Sequence, residues 1–336
     1  MSEATKPRSA FVTGATGCIG SALVSRLANN GWRVVALVRD RNRASFLNEL
    51  PNLELVEGEL SESEKLILAM RDCQTVFHLA AKVHVAPGTT AAEFERDNVV
   101  GTRNVVAAAL KNRVERFVQF STVAVYGERD GVPDENSLPT PNTDYGRSKL
   151  EAERIALAAS ELKTIVLRLP VVYGARDRGN VARLIEAIRR NRYFIVGDGQ
   201  NLKSMVAVEN VVDAALLVAD DPRAIGQTFI VTDARPYSQM EIAATIAELI
   251  GKRPPARLPR WPLLLAGRAA DVVSKLIGIE LPLSSDRVRK LSANTVFSAA
   301  KIERELGFKP RVALREGLAN DVGQFFKLSH PRKSSD

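Results

Sequence analysis

The chain has 336 residues, 45% hydrophobic, 26% charged and 6% aromatic, enough apolar material for a sizeable core and too much for disorder as the main state. Its 47 basic and 39 acidic residues leave a net charge of +8, which suits anionic partners in general, but no nucleic-acid module accompanies the basic clusters and no nucleic acid is expected as partner. Two cysteines, Cys18 and Cys73, make no disulfide framework and have no partner at metal-ligand spacing, so no metal and a reducing, cytoplasmic setting are expected.

The opening residues, MSEATKPRSA, carry no apolar stretch and read as a short frayed leader. An apolar run from Ser9 to Thr13 then leads into Gly14, Gly17 and Gly20, and the helically spaced SALVSRLANNG follows: strand, glycine turn, helix. Strand-length apolar runs recur at Trp32–Val38, Leu53–Val56, Val76–Leu79, Phe117–Phe120 and Thr164–Leu169, with helical segments between most of them. Runs that are apolar at nearly every position, alternating with helices, predict an α/β fold with a doubly wound parallel sheet covered on both faces. After Gly174 the texture changes to a helical VARLIEAIRRN, a GDGQN loop, a helix near Val211–Ala219, a strand at Thr228–Val231 and mostly helix from Tyr237.

The expected organisation is a Rossmann-type domain over 8–174, to which about 204–232 return, a smaller and mostly helical region over 175–328, and a disordered tail at 329–336. Between Trp261 and Ile279, Leu264, Leu265, Ala269, Val272, Val273, Leu276 and Ile277 recur at helical spacing. Arg268, Asp271 and Lys275 interrupt that stretch, so it predicts no membrane span but an amphipathic helix packing its apolar face on the core or a cleft.

Three motifs carry chemistry. Gly14, Gly17 and Gly20, between a strand and a helix, let the chain turn sharply and let a pyrophosphate approach backbone N–H groups at the positive helix end. Cys18, inside that turn, has no neighbouring base and reads as packing. At the end of the next strand, where an NAD site would put an acidic residue on the ribose, stands Arg39 and only then Asp40; an arginine there pairs with a 2′-phosphate, which favours NADP over NAD. Tyr145 and Lys149, four apart ahead of a helical LEAERIALAA, share one helix face. The nearby ammonium is expected to lower the phenol's pKa from about 10 and make Tyr145 a proton carrier.

In this order and at these intervals the motifs resemble the extended short-chain dehydrogenase/reductase family, whose members include nucleotide-sugar epimerases and dehydratases. The resemblance covers nearly the whole chain and is carried by FVTGATGCIG at 11–20, VFHLAA at 76–81, Asn98 in NVVGTRN, FSTVAVYG at 120–127, YGRSK at 145–149 and RLPVVYG at 168–174. It implies that Thr122 holds the substrate oxygen, with Ser121 assisting, that Tyr145 moves the proton, and that Lys149 holds the nicotinamide ribose and tunes Tyr145. It also implies cofactor contacts from Gly14, Gly17, Cys18, Ile19 and Gly20, from Arg39 and Asp40, from Glu59 and Leu60, from Ala80 and Ala81, and from Pro170; Asn98 would be a polar residue lining a helix. One departure is Glu59, where many relatives carry aspartate after the glycine; a glutamate can still accept a bond from the adenine amino group.

By the same resemblance, Asn180 and Lys203 fall where nucleotide-sugar enzymes bind the diphosphate, Lys203 standing in for a common arginine. A further C-terminal arginine has no clear match, Arg287 and Arg289 being only nearby. The activity expected is an NAD(P)-dependent 4-keto reductase or 4-epimerase of a nucleotide sugar. Two alternatives stay open: a reductase like the 3β-hydroxysteroid dehydrogenases, which GDGQNL, VENVVDA and ELGFKPRVALREGL also resemble, and a non-catalytic protein that senses the dinucleotide. A homodimer is an expectation from the family.

Overall fold

A computed structural model describes residues 7–83, 89–177, 179–277 and 284–329; the expected leader lies mostly, and the expected tail almost wholly, outside them. The chain divides into two compact units, one of Met1–Val172, Val206–Thr232 and Phe297–Val312, the other of Tyr173–Met205, Asp233–Val296 and Ala313–Asp336.

The first unit is built on a seven-stranded sheet: β1 (Ser9–Thr13), β2 (Arg33–Val38), β3 (Leu53–Glu57), β4 (Thr75–His78), β5 (Arg116–Thr122), β6 (Lys163–Leu169) and β7 (Thr228–Ile230). Their spatial order is β7-β6-β5-β4-β1-β2-β3, with parallel neighbours throughout. It is a Rossmann-type sheet whose order reverses between β1 and β4, where such folds open a crevice beyond the carboxyl ends of their strands.

The unbroken apolar runs follow from burial on both faces. In β1, Ala10 and Val12 point to one side and Phe11 to the other; in β2, Val34, Ala36 and Val38 oppose Val35 and Leu37. On the first side pack Leu23, Val24 and Leu27 of α1 (Cys18–Asn29), with Val211, Ala215 and Val218 of the helix Val208–Asp220. On the other pack Val105 and Ala109 of α2 (Gly101–Lys111) and Ala156 of α3 (Asp144–Ala158). Full burial of each such valine, leucine or phenylalanine side chain contributes about 1.5–3 kcal/mol.

The segment Phe297–Val312 belongs to the first unit, an assignment for which the sequence offers no local signal. It joins because Ile302, Leu306 and Phe308 are buried in the core, and Lys301 Nζ donates to Gln227 Oε1 at 2.8 Å and to the Thr228 carbonyl at 3.0 Å.

The second unit holds the helices Asn180–Arg189, Gln239–Leu249, Arg260–Ile277, Ser285–Ser292 and Leu314–Ser329, with two short strand pairs, Leu202–Lys203 with Tyr237–Ser238 and Ile195–Val196 with Arg257–Leu258. Its polar centre is Asp233, which accepts hydrogen bonds from the Tyr173 phenol at 2.6 Å and the Tyr237 phenol at 3.3 Å.

Candidate active site

The turn after β1 is shaped by close backbone approach. Gly14 has φ +72°, and a Cβ there would lie 2.8 Å from the Ala80 nitrogen, while a Cβ on Gly20 would lie 2.1 Å from the Gly14 carbonyl oxygen. Only glycine fits such a cradle. The helix that leaves it, α1, has no capping side chain and no acidic residue in its first turn, so its positive end carries no anion of the chain's own. Within it Ile19 packs on the core; Cys18 is half-buried rather than sequestered in the turn. A turn that excludes side chains and opens a helix at the sheet's switch point fits a pyrophosphate.

Beyond β2, Arg39 is exposed and has no partner among the described residues. Asp40 is engaged: its Oδ1 accepts from the Asn42 N–H at 2.8 Å and the Arg43 N–H at 3.3 Å, closing the following turn. Arg41 donates to the Leu55 carbonyl at 2.8 Å. Glu59 is exposed, and the carbonyl of half-buried Leu60 is held by Asn104 at 2.8 Å. Ala80 and Ala81 follow β4 and Pro170 follows β6, all half-buried, with the Ala80 N–H donating to Thr13 Oγ1 at 3.1 Å.

The proton-handling residues converge at the end of β5 and on α3. Thr143 caps α3 through its Oγ1, which accepts from the Gly146 N–H at 3.0 Å. A Cβ on Gly146 would stand 2.7 Å from the Ala124 carbonyl oxygen, so glycine lets the helix close on the turn after Thr122. There the Thr122 hydroxyl stands beside the Tyr145 phenol. Lys149, one helical turn on and 3% exposed, donates to the Phe120 carbonyl at 2.7 Å. The Ser121 hydroxyl is buried and has no hydrogen-bond partner among the described residues.

The electrostatics differ from the expectation that an ammonium lowers the Tyr145 phenol. Burial pushes Tyr145 up to about 12, opposed only by the neighbouring Thr122 hydroxyl. Lys149 is itself driven down to about 8 by burial, against the raising effect of Glu153. The ammonium is committed to a backbone carbonyl, so desolvation dominates the phenol and the free chain holds Tyr145 protonated at neutral pH.

Two residues matter more here than their sequence context suggests. Asn98 lies in a π-helical turn, Glu95–Val100, and is buried. Its Oδ1 accepts from the Lys82 N–H at 2.7 Å, and its Nδ2 donates to the Lys82 carbonyl at 3.1 Å and to Ser148 Oγ at 2.9 Å. It therefore ties the irregular segment after Ala81 to the helix bearing Tyr145 and Lys149, a structural link where a lining residue was expected. Such π turns cluster at functional sites.

His78 is fully buried between Thr13 Oγ1 at 2.7 Å and Thr102 Oγ1 at 3.0 Å. Because Thr102 donates to the Asn98 carbonyl at 2.6 Å, it accepts from His78 Nε2, and the imidazole is neutral with Nδ1 unprotonated. Burial, helped by Lys149, drives its pKa down to about 3.

In the second unit Asn180 opens its helix and its Oδ1 accepts from Arg183 at 2.8 Å. Lys203 Nζ donates to the Ala293 carbonyl at 2.7 Å and Thr295 Oγ1 at 3.1 Å, and burial lowers its pKa. Arg289 is exposed; the Arg287 side chain lies outside the described residues.

A glycine cradle at the switch point of a parallel sheet, with a Thr–Tyr pair and a buried lysine at the end of β5, defines a Rossmann-type oxidoreductase or epimerase. The family model of the NAD dependent epimerase/dehydratase family matches residues 10–231, and the chain belongs to that family, an extended short-chain dehydrogenase/reductase. The chain is 31% identical to N-acetyl-alpha-D-glucosaminyl-diphospho-ditrans,octacis-undecaprenol 4-epimerase of Escherichia coli O157:H7, over 96% of each chain. It is 32% identical to 4-hydroxy-2-methyl-3-oxo-4-farnesyl-3,4-dihydroquinoline-1-oxide ketoreductase of Stigmatella aurantiaca, over 92% of this chain and 94% of that one. A solved structure, MoeE5 in complex with UDP-glucuronic acid and NAD, shares 33% identity at a TM-score of 0.76, covering 96% of this chain and 99% of that one.

Proposed function

We propose that the protein is an NAD(P)-dependent 4-epimerase or 4-keto reductase of a diphosphate-linked sugar, in the first instance a nucleotide sugar. Thr122 and Tyr145, side by side next to buried Lys149, carry this reading, because they supply one proton position at the edge of a turn shaped for a dinucleotide. The relatives that act on diphosphate-linked sugars support the substrate class, and MoeE5, which binds NAD with a UDP-sugar, supports the cofactor.

Gly14, Gly17 and Gly20 with the start of α1 would hold the pyrophosphate of the dinucleotide, and Lys149 its nicotinamide ribose. The dinucleotide, when bound, supplies a hydride acceptor or donor. Thr122 would hold the substrate oxygen through its hydroxyl, and Ser121 Oγ, buried and without a partner among the described residues, would assist. Tyr145 Oη, protonated in the free chain, gives its proton to a ketone oxygen as the ketone is reduced; only as the phenolate would it take the proton of a secondary alcohol as that is oxidised. Positioning and proton transfer are the chain's contribution. Asn180 and Lys203 are the proposed diphosphate contacts.

A preference for NADP is the reading that the loop after β2 supports. Asp40 is spent on the turn while Arg39 is left without a partner, which suits a 2′-phosphate and favours NADP. The quinoline-oxide ketoreductase relative keeps a second reading in view, reduction of an apolar ketone by the same residues.

One experiment separates these. Purified protein is incubated with UDP-hexoses, a UDP-4-keto-hexose, a polyprenyl-diphospho sugar and a steroid ketone, each with and without NADPH or NADH. Interconversion of sugar epimers or NADPH-dependent reduction of a keto sugar is expected; turnover confined to the steroid ketone supports the second reading; no turnover with any substrate, despite dinucleotide binding, favours the sensor.

A further inference from the structure

The ladder between β4 and β5 stops one residue short of Phe120, at His78 opposite Gln119. Continued in the same register, it would bring the Ala80 N–H to the Phe120 carbonyl, but that N–H donates to Thr13 Oγ1 at 3.1 Å. Two side chains take its place on the carbonyl: Lys149 Nζ at 2.7 Å and Gln119 Nε2 at 3.2 Å. A carbonyl oxygen only accepts, so the Gln119 amide faces it through nitrogen.

This arrangement serves neither donor well. Lys149 is buried with three N–H groups to satisfy, and the Phe120 carbonyl is its one hydrogen-bond acceptor among the described residues. Gln119 is 0% exposed, and its Oε1 has no hydrogen-bond partner among the described residues. A buried amide oxygen left unpaired destabilises the fold, and an apolar side chain of similar size would avoid that loss. One donor is enough to pair the carbonyl, so the glutamine is superfluous for as long as the lysine stays where it is.

We propose that Gln119 is a positioning residue that frees Lys149 to move: it keeps the Phe120 carbonyl paired when the ammonium turns from that carbonyl to the nicotinamide ribose of a bound dinucleotide. The inference rests on the role given to Lys149 above and deepens it. Without Gln119, the lysine would abandon a buried carbonyl in order to reach the ribose, and part of the binding free energy would be lost to the unpaired oxygen. With Gln119 in place the carbonyl keeps one of its two donors, and the ammonium exchanges a single acceptor for the ribose hydroxyls.

Two measurements test this, and the first needs no dinucleotide. In urea unfolding at pH 7, Gln119→Met should show a midpoint no lower than that of the parent, because Lys149 still holds the carbonyl and an unpaired oxygen is gone. In a Lys149→Met background the same substitution should lower the midpoint, because the carbonyl then loses both side-chain donors. The second measurement is calorimetric titration with NAD, NADP and ADP. Gln119→Met is expected to bind both dinucleotides about tenfold more weakly, as an orphaned buried acceptor implies, and to bind ADP, which has no nicotinamide ribose, like the parent. A merely structural role would weaken all three. Gln119→Leu, which is smaller, repeats the series in case methionine overpacks the site. Equal midpoint shifts in the two backgrounds, or parent-like dinucleotide affinity in Gln119→Met and Gln119→Leu, overturn the proposal. A parent that binds neither dinucleotide overturns the reading of the site, and the handover with it, whatever the unfolding cycle gives.

Discussion

Glu153 stands one helical turn beyond Lys149, and its carboxylate is gripped by Arg168 through Nη2 at 2.7 Å and Nε at 3.1 Å. Arg168 also donates to the Tyr126 phenol oxygen at 2.7 Å, so the carboxylate that supports the buried Lys149 ammonium is itself fixed from β6. Glu153→Gln removes that support. Two effects are expected: a loss of roughly 3–5 kcal/mol in urea unfolding, because the Arg168 charge stays buried without its partner, and a fall of turnover with rising pH that begins at lower pH than in the parent. A pH profile of kcat measured beside the unfolding curve distinguishes loss of support for Lys149 from mere destabilisation.

Tyr145→Phe keeps the ring against Phe94, whose centroid is 6.2 Å away, and deletes only the proton position. Turnover is expected to fall about 10²–10⁴-fold. Dinucleotide binding, followed by fluorescence titration, should change less than a few-fold.

Lys149 costs the fold something at neutral pH. Its pKa in the folded chain is about 8 against 10.5 unfolded, so between those values the unfolded chain binds more protons, and stability should rise with pH across that window. Lys149→Met is accordingly expected to abolish turnover while raising the melting temperature at pH 7.

His78 gives the opposite end of the pH range. Its folded pKa of about 3 lies below the ordinary 6.5, so the unfolded chain takes up a proton that the folded chain refuses, and stability is lost as pH falls from 6.5 towards 3. Urea midpoints measured at pH 5 and pH 7 should differ less in His78→Gln than in the parent.

Arg39→Ala tests the cofactor preference. The affinity for NADP is expected to drop about tenfold or more, as loss of a charged contact to phosphate implies, with that for NAD nearly unchanged. Equal losses for both dinucleotides would remove Arg39 from the 2′-phosphate.

Much of this molecule is written locally. The unbroken apolar runs predict parallel strands buried on both faces because a side chain every 180° must find a covered environment on either side, and β1 and β2 do so residue by residue. The glycine turn and the i, i+4 placement of Tyr145 and Lys149 depend on backbone geometry within a few residues, and so are legible without the fold.

What depended on tertiary structure is of another kind. Desolvation decides the protonation of Tyr145, Lys149 and His78, and no spacing along the chain reports which groups a folded core removes from water. The pairing of Glu153 with Arg168 and the bridge from Asn98 to Lys82 and Ser148 join residues distant in sequence, so they exist only once β5, β6 and α3 have assembled. The same holds for Trp261: helical spacing marks an apolar stripe, but whether that stripe is covered depends on where the neighbouring chain goes, and here it leaves Trp261 and Leu265 in the open.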